Sequence, residues 1–180
     1  PRLKEAITKQ MDELSFAPRR FSCEPAVNLA KKLSDIAPGD LSKVLFTTGG
    51  SDAIEVALKL ARAATGRYKT ISFWDSFHGA GYGSSSVGGE QLFRSDIFGP
   101  LLPGSEHIAP FDCYRCPYGY QDLNGEPQLD ICQMTCAKFV NYVLEKEGDI
   151  AAVIAEPARA VPYIPPPGFW STVRKACNEH

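Results

Sequence analysis

The chain has 180 residues, 44% of them hydrophobic and 22% charged, with 19 Lys and Arg against 21 Asp and Glu. This composition is typical of a globular protein and excludes a disordered chain. The net charge of −2 gives no basic surface for nucleic acid. No apolar run has the length of a membrane span, and no charged start leads into the apolar core of a signal peptide. We therefore expect a cytoplasmic protein without a membrane or nucleic-acid partner.

Four elements are predicted in the first third of the chain. Apolar residues recur at helical spacing over 3–14 and again over 24–37, where Pro38-Gly39 ends the second helix. A short β-rich run over 43–48 predicts a buried strand. A long helical pattern then begins at Ser51 and reaches a C-terminal cap at Gly66.

Strands and helices alternate in the rest of the chain, apart from one long irregular stretch. The predicted elements are strands over 70–74 and 150–155, and helices over 129–147 and 169–179. The Gly- and Ser-rich segment 79–89, and the stretch that follows it to about Pro127, predict no regular element. The alternation indicates a three-layer α/β/α fold with a mainly parallel sheet.

The segment 46–53 contains the most informative pattern, a strand that leads through two glycines into a helix. The first turn of a helix offers unpaired N–H groups and about half a positive charge, so a phosphate fits there. Gly50 lets the backbone approach an anion, and the Ser51 hydroxyl adds a donor. Alternatively, Ser51 only caps the helix and the glycines only form the turn. The residues of this segment leave both interpretations open.

Two further strand ends carry groups that suit a ligand, because ligands of open α/β sheets bind beyond the carboxyl ends of the strands. Phe77 and His78 follow the second predicted strand and are able to stack on a flat heterocycle. Glu156 follows the third strand and places a carboxylate at the same edge. The alternatives are a surface turn with a core Phe, and an ordinary exposed Glu.

Taken together, these segments resemble the class III aminotransferases, which are pyridoxal-phosphate enzymes of fold type I. The resemblance covers nearly all of the chain, and the motifs match in order and spacing. They are Phe46–Gly66, Phe77-His78-Gly79, Ala155-Glu156-Pro157 and the Pro-Pro-Gly-Phe run at 166–169, with Pro1-Arg2 and Phe21–Pro25 upstream.

The resemblance implies a role for each candidate residue. The backbone at Gly50 and Ser51 would bind the phosphate of pyridoxal 5'-phosphate, Phe77 would stack on its pyridine ring, and His78 would support that contact. Glu156 would be the catalytic-site carboxylate near the Schiff base. In the family, the Asp that pairs with the pyridine nitrogen and the Schiff-base Lys both follow the last helix of this segment. We therefore expect the segment alone to be inactive.

The resemblance also implies a domain division and a homodimer. Residues 1–40 would form an N-terminal helical segment, and 41–180 the first part of the cofactor-binding large domain. An irregular cysteine-containing insertion would occupy about 99–128. The expected activity transfers an amino group between a primary amine or amino acid and a keto acid or aldehyde.

One departure from the family pattern bears on the reaction. Glutamate-using members carry a second acid five residues after the Glu of the Glu-Pro motif, and Val161 stands there instead. The alternative function is therefore a lyase or decarboxylase of the same family. Arg159 would then bind an anionic substrate group, unless it is an ordinary exposed Arg after a turn.

The cysteines allow more than one interpretation. Cys113 and Cys116 form one pair, and Cys132 and Cys136 form a second pair, with fifteen residues between the two pairs. Such spacing is used in zinc sites, but buried free thiols at helical spacing explain the second pair equally well. We assign no metal ligand from the sequence. Zinc, a redox disulfide, and a non-enzymatic binding protein organised by four cysteines remain alternatives.

Overall fold

The computed structural model describes residues 1–18, 20–160 and 163–180, and divides the chain into two compact units, 1–46 and 47–180. Val161 lies outside the described residues. The first unit contains helix α1 (Arg2–Leu14) and helix α2 (Glu24–Ile36), which confirms both predicted helices. The Ala37 amide donates to the Leu33 carbonyl at 2.9 Å and closes α2.

The strand predicted over 43–48 is wrong. These residues form no strand, and the side chains of Leu45 and Phe46 are 64% and 47% exposed. An apolar run becomes a strand only where a neighbouring backbone takes up its hydrogen bonds. No such neighbour pairs with this run in the part of the chain that the structure describes.

The second unit is built on a parallel sheet, as the alternating pattern predicts. Within the described residues it consists of β1 (Lys69–Phe73), β2 (Ser105–Ile108) and β3 (Ile150–Val153) in the order β2-β1-β3. Both pairings are parallel, and Phe73 at the end of β1 is paired with Ile108 at the end of β2. The carboxyl ends of the strands therefore meet at one edge, which we call the carboxyl edge.

Helices cover both faces of this sheet. The further helices are α3 (Gly50–Thr65), α4 (Tyr82–Val87), α5 (Leu129–Cys132), α6 (Thr135–Glu147) and α7 (Phe169–Glu179). Ile71 and Phe73 are buried in one core with residues of α6 and α7. Helix α4 contacts β1 and β2, while α3 contacts β3 and α4. None of the described helices is long and apolar enough to span a membrane.

Three details differ from the expectations for the middle of the chain. Helix α4 lies in the segment 79–89, and strand β2 lies in the stretch expected to be irregular. The helix expected over 129–147 is divided into α5 and α6, because Gln133 and Met134 both have a left-handed backbone. Tertiary contacts account for α4 and β2, since the Ser84 amide of α4 donates to Glu55 of α3 and β2 is paired with β1.

Candidate active site

The start of α3 and the turn after β1 touch at the carboxyl edge. The Ala80 amide donates to the Ser51 hydroxyl at 3.1 Å. Gly79 has a φ of +127°, and a Cβ added to it would lie 2.8 Å from the Ser51 Cα. Only glycine fits this contact, because both the backbone conformation and the space exclude a side chain.

The start of α3 has the properties of an anion site. Its first helical hydrogen bond is donated by the Ala53 amide to the Gly49 carbonyl at 3.0 Å, and no side chain caps the amides before it. A Cβ added at Gly50 would meet no atom within 4 Å, so the surface beside this turn is open. The Ser51 oxygen accepts from Ala80 and leaves the hydroxyl proton for a ligand. These groups fit a phosphate dianion.

A carboxylate of α3 holds the short helix α4 in place. Glu55 Oε1 accepts from the Ser84 amide at 2.8 Å, and the Ser84 hydroxyl accepts from the Gly81 amide at 3.0 Å. These hydrogen bonds stabilise a helix that the serine-rich sequence does not favour by its own propensity. Sequence reasoning missed Glu55, although its position four residues after Ser51 places it on the same face of α3.

Phe77 and Glu156 connect the ends of β1 and β3. Glu156 Oε2 accepts from the Phe77 amide at 3.2 Å, although the two residues are 79 positions apart. The Phe77 ring lies 4.7 Å from the Phe93 ring between centroids and is 43% exposed. The structure therefore brings both predicted residues together and leaves part of the aromatic ring open for stacking.

His78 lies below this surface and is only 9% exposed. Its Nε2 atom is buried without a hydrogen-bond partner among the described residues. Burial lowers the pKa of His78 from its usual value of 6.5, and the charge of Glu156 opposes this only in part. The imidazole is therefore neutral at pH 7 and supplies an unused polar atom beside the Phe77 turn.

Arg159 is a mostly buried residue of an ion-pair network, so the interpretation as an exposed turn residue is wrong. Its side chain is 11% exposed, and its Nη2 lies 3.3 Å from Glu90 Oε2. Its Nε lies 3.8 Å from Glu156 Oε2. Sequence reasoning missed Glu90, since only the fold brings a residue 69 positions away to this arginine.

An open cavity of about 550 Å³ lies beside this network. Arg159 and Tyr163 line one part of it, together with Asp75 from the turn after β1. Tyr114 and Arg115, between the first pair of cysteines, line another part. The cavity therefore connects the carboxyl edge with the segment that carries the cysteines.

Comparison with known proteins identifies the family. A family model described as "Aminotransferase class-III" matches residues 1–180. The chain belongs to the class III aminotransferases. It is 43% identical to the (R)-1-hydroxy-2-aminoethylphosphonate ammonia-lyase of Vibrio splendidus, over 100% of this chain and 39% of that protein. It is 36% identical to the adenosylmethionine-8-amino-7-oxononanoate aminotransferase of Methanocaldococcus jannaschii, over 98% of this chain and 40% of that protein.

The solved structures give the same assignment. An amine transaminase from an uncultivated Pseudomonas species, determined in its PLP-bound form, superimposes with a TM-score of 0.83 at 30% identity. The match covers 98% of this class III chain and 41% of the transaminase. The chain thus has the mixed α/β architecture of fold type I transaminases and spans about two fifths of the length of these relatives.

Proposed function

We propose that the protein carrying this class III chain is a pyridoxal-phosphate-dependent aminotransferase. It would transfer an amino group between a primary amine or amino acid and a keto acid or aldehyde. The proposal rests on the contact between the start of α3 and the turn after β1. There, an anion site, an aromatic ring and a carboxylate from three separate segments adjoin one another.

Each of these residues has a task that follows from its surroundings. Bound pyridoxal phosphate would withdraw electrons from the substrate carbon. The amides of Gly50 and Ser51 and the Ser51 hydroxyl would bind its phosphate group. Phe77 would contact its ring, and the neutral His78 would support the Phe77 turn without adding a positive charge. Glu156 would bind the Phe77 amide with Oε2 and direct its charge toward the reacting group.

A lyase that releases ammonia is the second candidate. The observation that favours it is the 43% identity to an enzyme named as an ammonia-lyase, over the whole of this chain. Arg159 supports it as well, because its guanidinium lines the cavity, where it is able to contact an anionic substrate group. The carboxylates of Glu90 and Glu156 would keep this side chain oriented.

The reaction is tested on the intact protein, with purified enzyme, added cofactor and an amine substrate. A transferase yields a new amine only when a keto acid or aldehyde is present. A lyase releases ammonia in proportion to the substrate consumed without any acceptor. Failure to bind the cofactor under these conditions would remove both candidates.

The cofactor residues are tested by a matched pair of serine variants. Ser51→Ala removes a phosphate donor and should weaken cofactor binding, measured by equilibrium titration of the visible absorption. Ser171→Ala provides the control, because Ser171 also lies in the first turn of a helix but far along the chain in α7. Equal cofactor affinity in the two variants would contradict the assignment of Ser51.

Two further expectations concern the intact protein. We propose a homodimer in the cytoplasm, on the basis of the family, with a small amine or amino acid as its substrate. We also propose that residues 1–40 form an N-terminal helical segment and that the large domain begins at residue 41. Size-exclusion chromatography with light scattering measures the oligomeric state, and a monomeric active enzyme would contradict the dimer.

A further inference from the structure

Four of the six cysteines line one small cavity. They are Cys113, Cys116, Cys132 and Cys136, and the space among them has a volume of about 20 Å³. That volume holds about one water-sized particle. The two pairs come from separate parts of the chain, which we call together the cysteine segment, residues 109–136. The remaining cysteines, Cys23 and Cys177, do not line this cavity.

The backbone of the cysteine segment is shaped so that both pairs face this cavity. On one side, Asp112 Oδ1 accepts from the Arg115 amide at 3.1 Å and holds the turn between Cys113 and Cys116. On the other side, Gln133 and Met134 have φ angles of +45° and +57°. Residues with a side chain rarely adopt this left-handed backbone. This break separates α5 from α6 and lies between Cys132 and Cys136.

The wall of the cavity adds a polar atom with no partner. The Tyr118 hydroxyl is buried and makes no hydrogen bond to the described residues. Tyr118 lines the same cavity as the four cysteines. A hydroxyl in this position is able to donate to a thiolate sulfur, which is how surrounding groups orient the ligands of metal sites.

We propose that Cys113, Cys116, Cys132 and Cys136 bind one structural zinc ion. Zinc prefers four thiolates in tetrahedral geometry at about 2.3 Å, and the C-x2-C spacing of the first pair is common in such sites. Four thiols lose their protons to solvent and four Zn–S bonds form, so the step needs no oxidant or reductant. Zinc bound in this way would join the 113–116 turn to the start of α6.

Binding includes a movement of side chains. In the described part of the chain, no three His, Cys, Asp or Glu residues are already grouped closely enough to hold a metal. Cysteine side chains change direction by rotation about a single bond, and sites of this kind form together with the metal.

The zinc ion would also fix one wall of the candidate active site. Tyr114 and Arg115 stand between two of the proposed ligands and line the 550 Å³ cavity together with Arg159. A metal that holds Cys113 and Cys116 therefore holds these two side chains. This consequence rests on the proposed function, whereas the zinc site itself does not.

The proposal is tested on the intact protein, purified under reducing conditions from a zinc-supplemented culture. We expect about one zinc per chain by elemental analysis. Cys113→Ser and Cys136→Ser should each lower the bound zinc at least tenfold. Cys177→Ser is the matched control, because Cys177 is also a half-buried free cysteine, and it should retain the metal.

Cobalt(II) substitution of the wild-type protein keeps the test independent of folding defects in the variants. We expect the intense sulfur-to-cobalt absorption and the visible bands of a tetrahedral thiolate site. Less than one tenth of an equivalent of zinc, together with every cysteine of the intact protein titrating as a free thiol and no cobalt bands, would overturn the proposal. Two or four missing thiols without metal would overturn it in favour of disulfides.

Discussion

The contact of Ser51 with the turn at Gly79, which we call the α3 junction, differs from the cysteine segment in how tightly its glycines are packed. At the junction, Gly79 packs against the Ser51 backbone so closely that no side chain fits. In the cysteine segment, Gly119 and Gly125 also have positive φ angles, yet an added Cβ would meet nothing within 4 Å. The backbone packing at the α3 junction therefore requires glycine at position 79, whereas at Gly119 and Gly125 only the backbone conformation favours it.

The largest expected effect comes from adding one methyl group at the junction. Gly79→Ala should lower the free energy of unfolding by about 3 kcal/mol, since it combines a backbone clash with an unfavourable φ. Gly125→Ala is the matched variant in the cysteine segment. It should lower the free energy of unfolding by about 1 kcal/mol, because only the positive φ angle, and no clash, disfavours the alanine. Denaturant unfolding of the intact protein measures both. Equal losses would remove the distinction between the two regions.

The next effect comes from the carboxylate that holds α4. Glu55→Ala should lower the free energy of unfolding by about 2 kcal/mol, because the Ser84 amide loses an ionised acceptor. Glu55→Gln keeps an oxygen at this place and should recover part of the loss. Hydrogen exchange should increase in residues 81–88 and stay constant in the cysteine segment. An increase in both regions would indicate that they are not independent.

His78 should make the junction sensitive to acid. Its pKa is lowered in the folded state, so folding favours the neutral form, and the stabilisation is present above the unfolded value of 6.5. As the pH falls below 6.5, the free energy of unfolding should decrease by up to about 1.4 kcal/mol per pH unit.

The matched variant for this pH dependence is His78→Gln, which should show a shallower slope. His107 is half-buried, also has a lowered pKa, and contributes with the same sign in both proteins. The two unfolding curves are therefore compared at each pH. Parallel slopes below pH 6.5 would contradict the role of His78.

The smallest effect concerns the aromatic contact. Phe77→Ala should weaken binding of pyridoxal phosphate by about 0.5–1.5 kcal/mol, the usual range for an aromatic contact. Phe139→Ala is the control, because this ring of α6 is exposed to a similar degree, 40% against 43%. Titration by absorbance measures the affinities. A loss in the Phe139 variant as large as in the Phe77 variant would show a general effect of packing.

Elements with strong local signals could be predicted from the sequence. Elements that form only by pairing with a distant segment of the chain could not. Helix α3 has an apolar periodicity, and Gly66 ends it with a φ of +69°. Strand β2 is the short polar sequence Ser-Glu-His-Ile and exists because β1 offers a free edge. The run 43–48 has the stronger β-pattern but forms no strand, because no neighbouring strand pairs with it among the described residues.

The candidate site divides in the same way. Phe77, His78 and Glu156 follow strands, so the topology of a parallel sheet was enough to predict their common edge. Gly50 and Ser51 are assigned to that edge through the strand predicted over 43–48, which the structure does not contain. The pairing of Arg159 with Glu90 spans 69 positions, and no periodic pattern connects them. The burial of Arg159 follows from this pairing and could not be deduced from the turn after Glu156.

The position of Tyr114 and Arg115 has a consequence for engineering. Two adjacent side chains line the cavity beside Arg159, while the cysteines on either side of them face away into a separate space. The pair is therefore a compact target for a combinatorial library. Randomising these two codons would vary the shape and charge of the cavity wall and leave the residues that anchor the turn unchanged. Selection on a panel of amines would then show how strongly the acceptance of new substrates depends on these two adjacent positions.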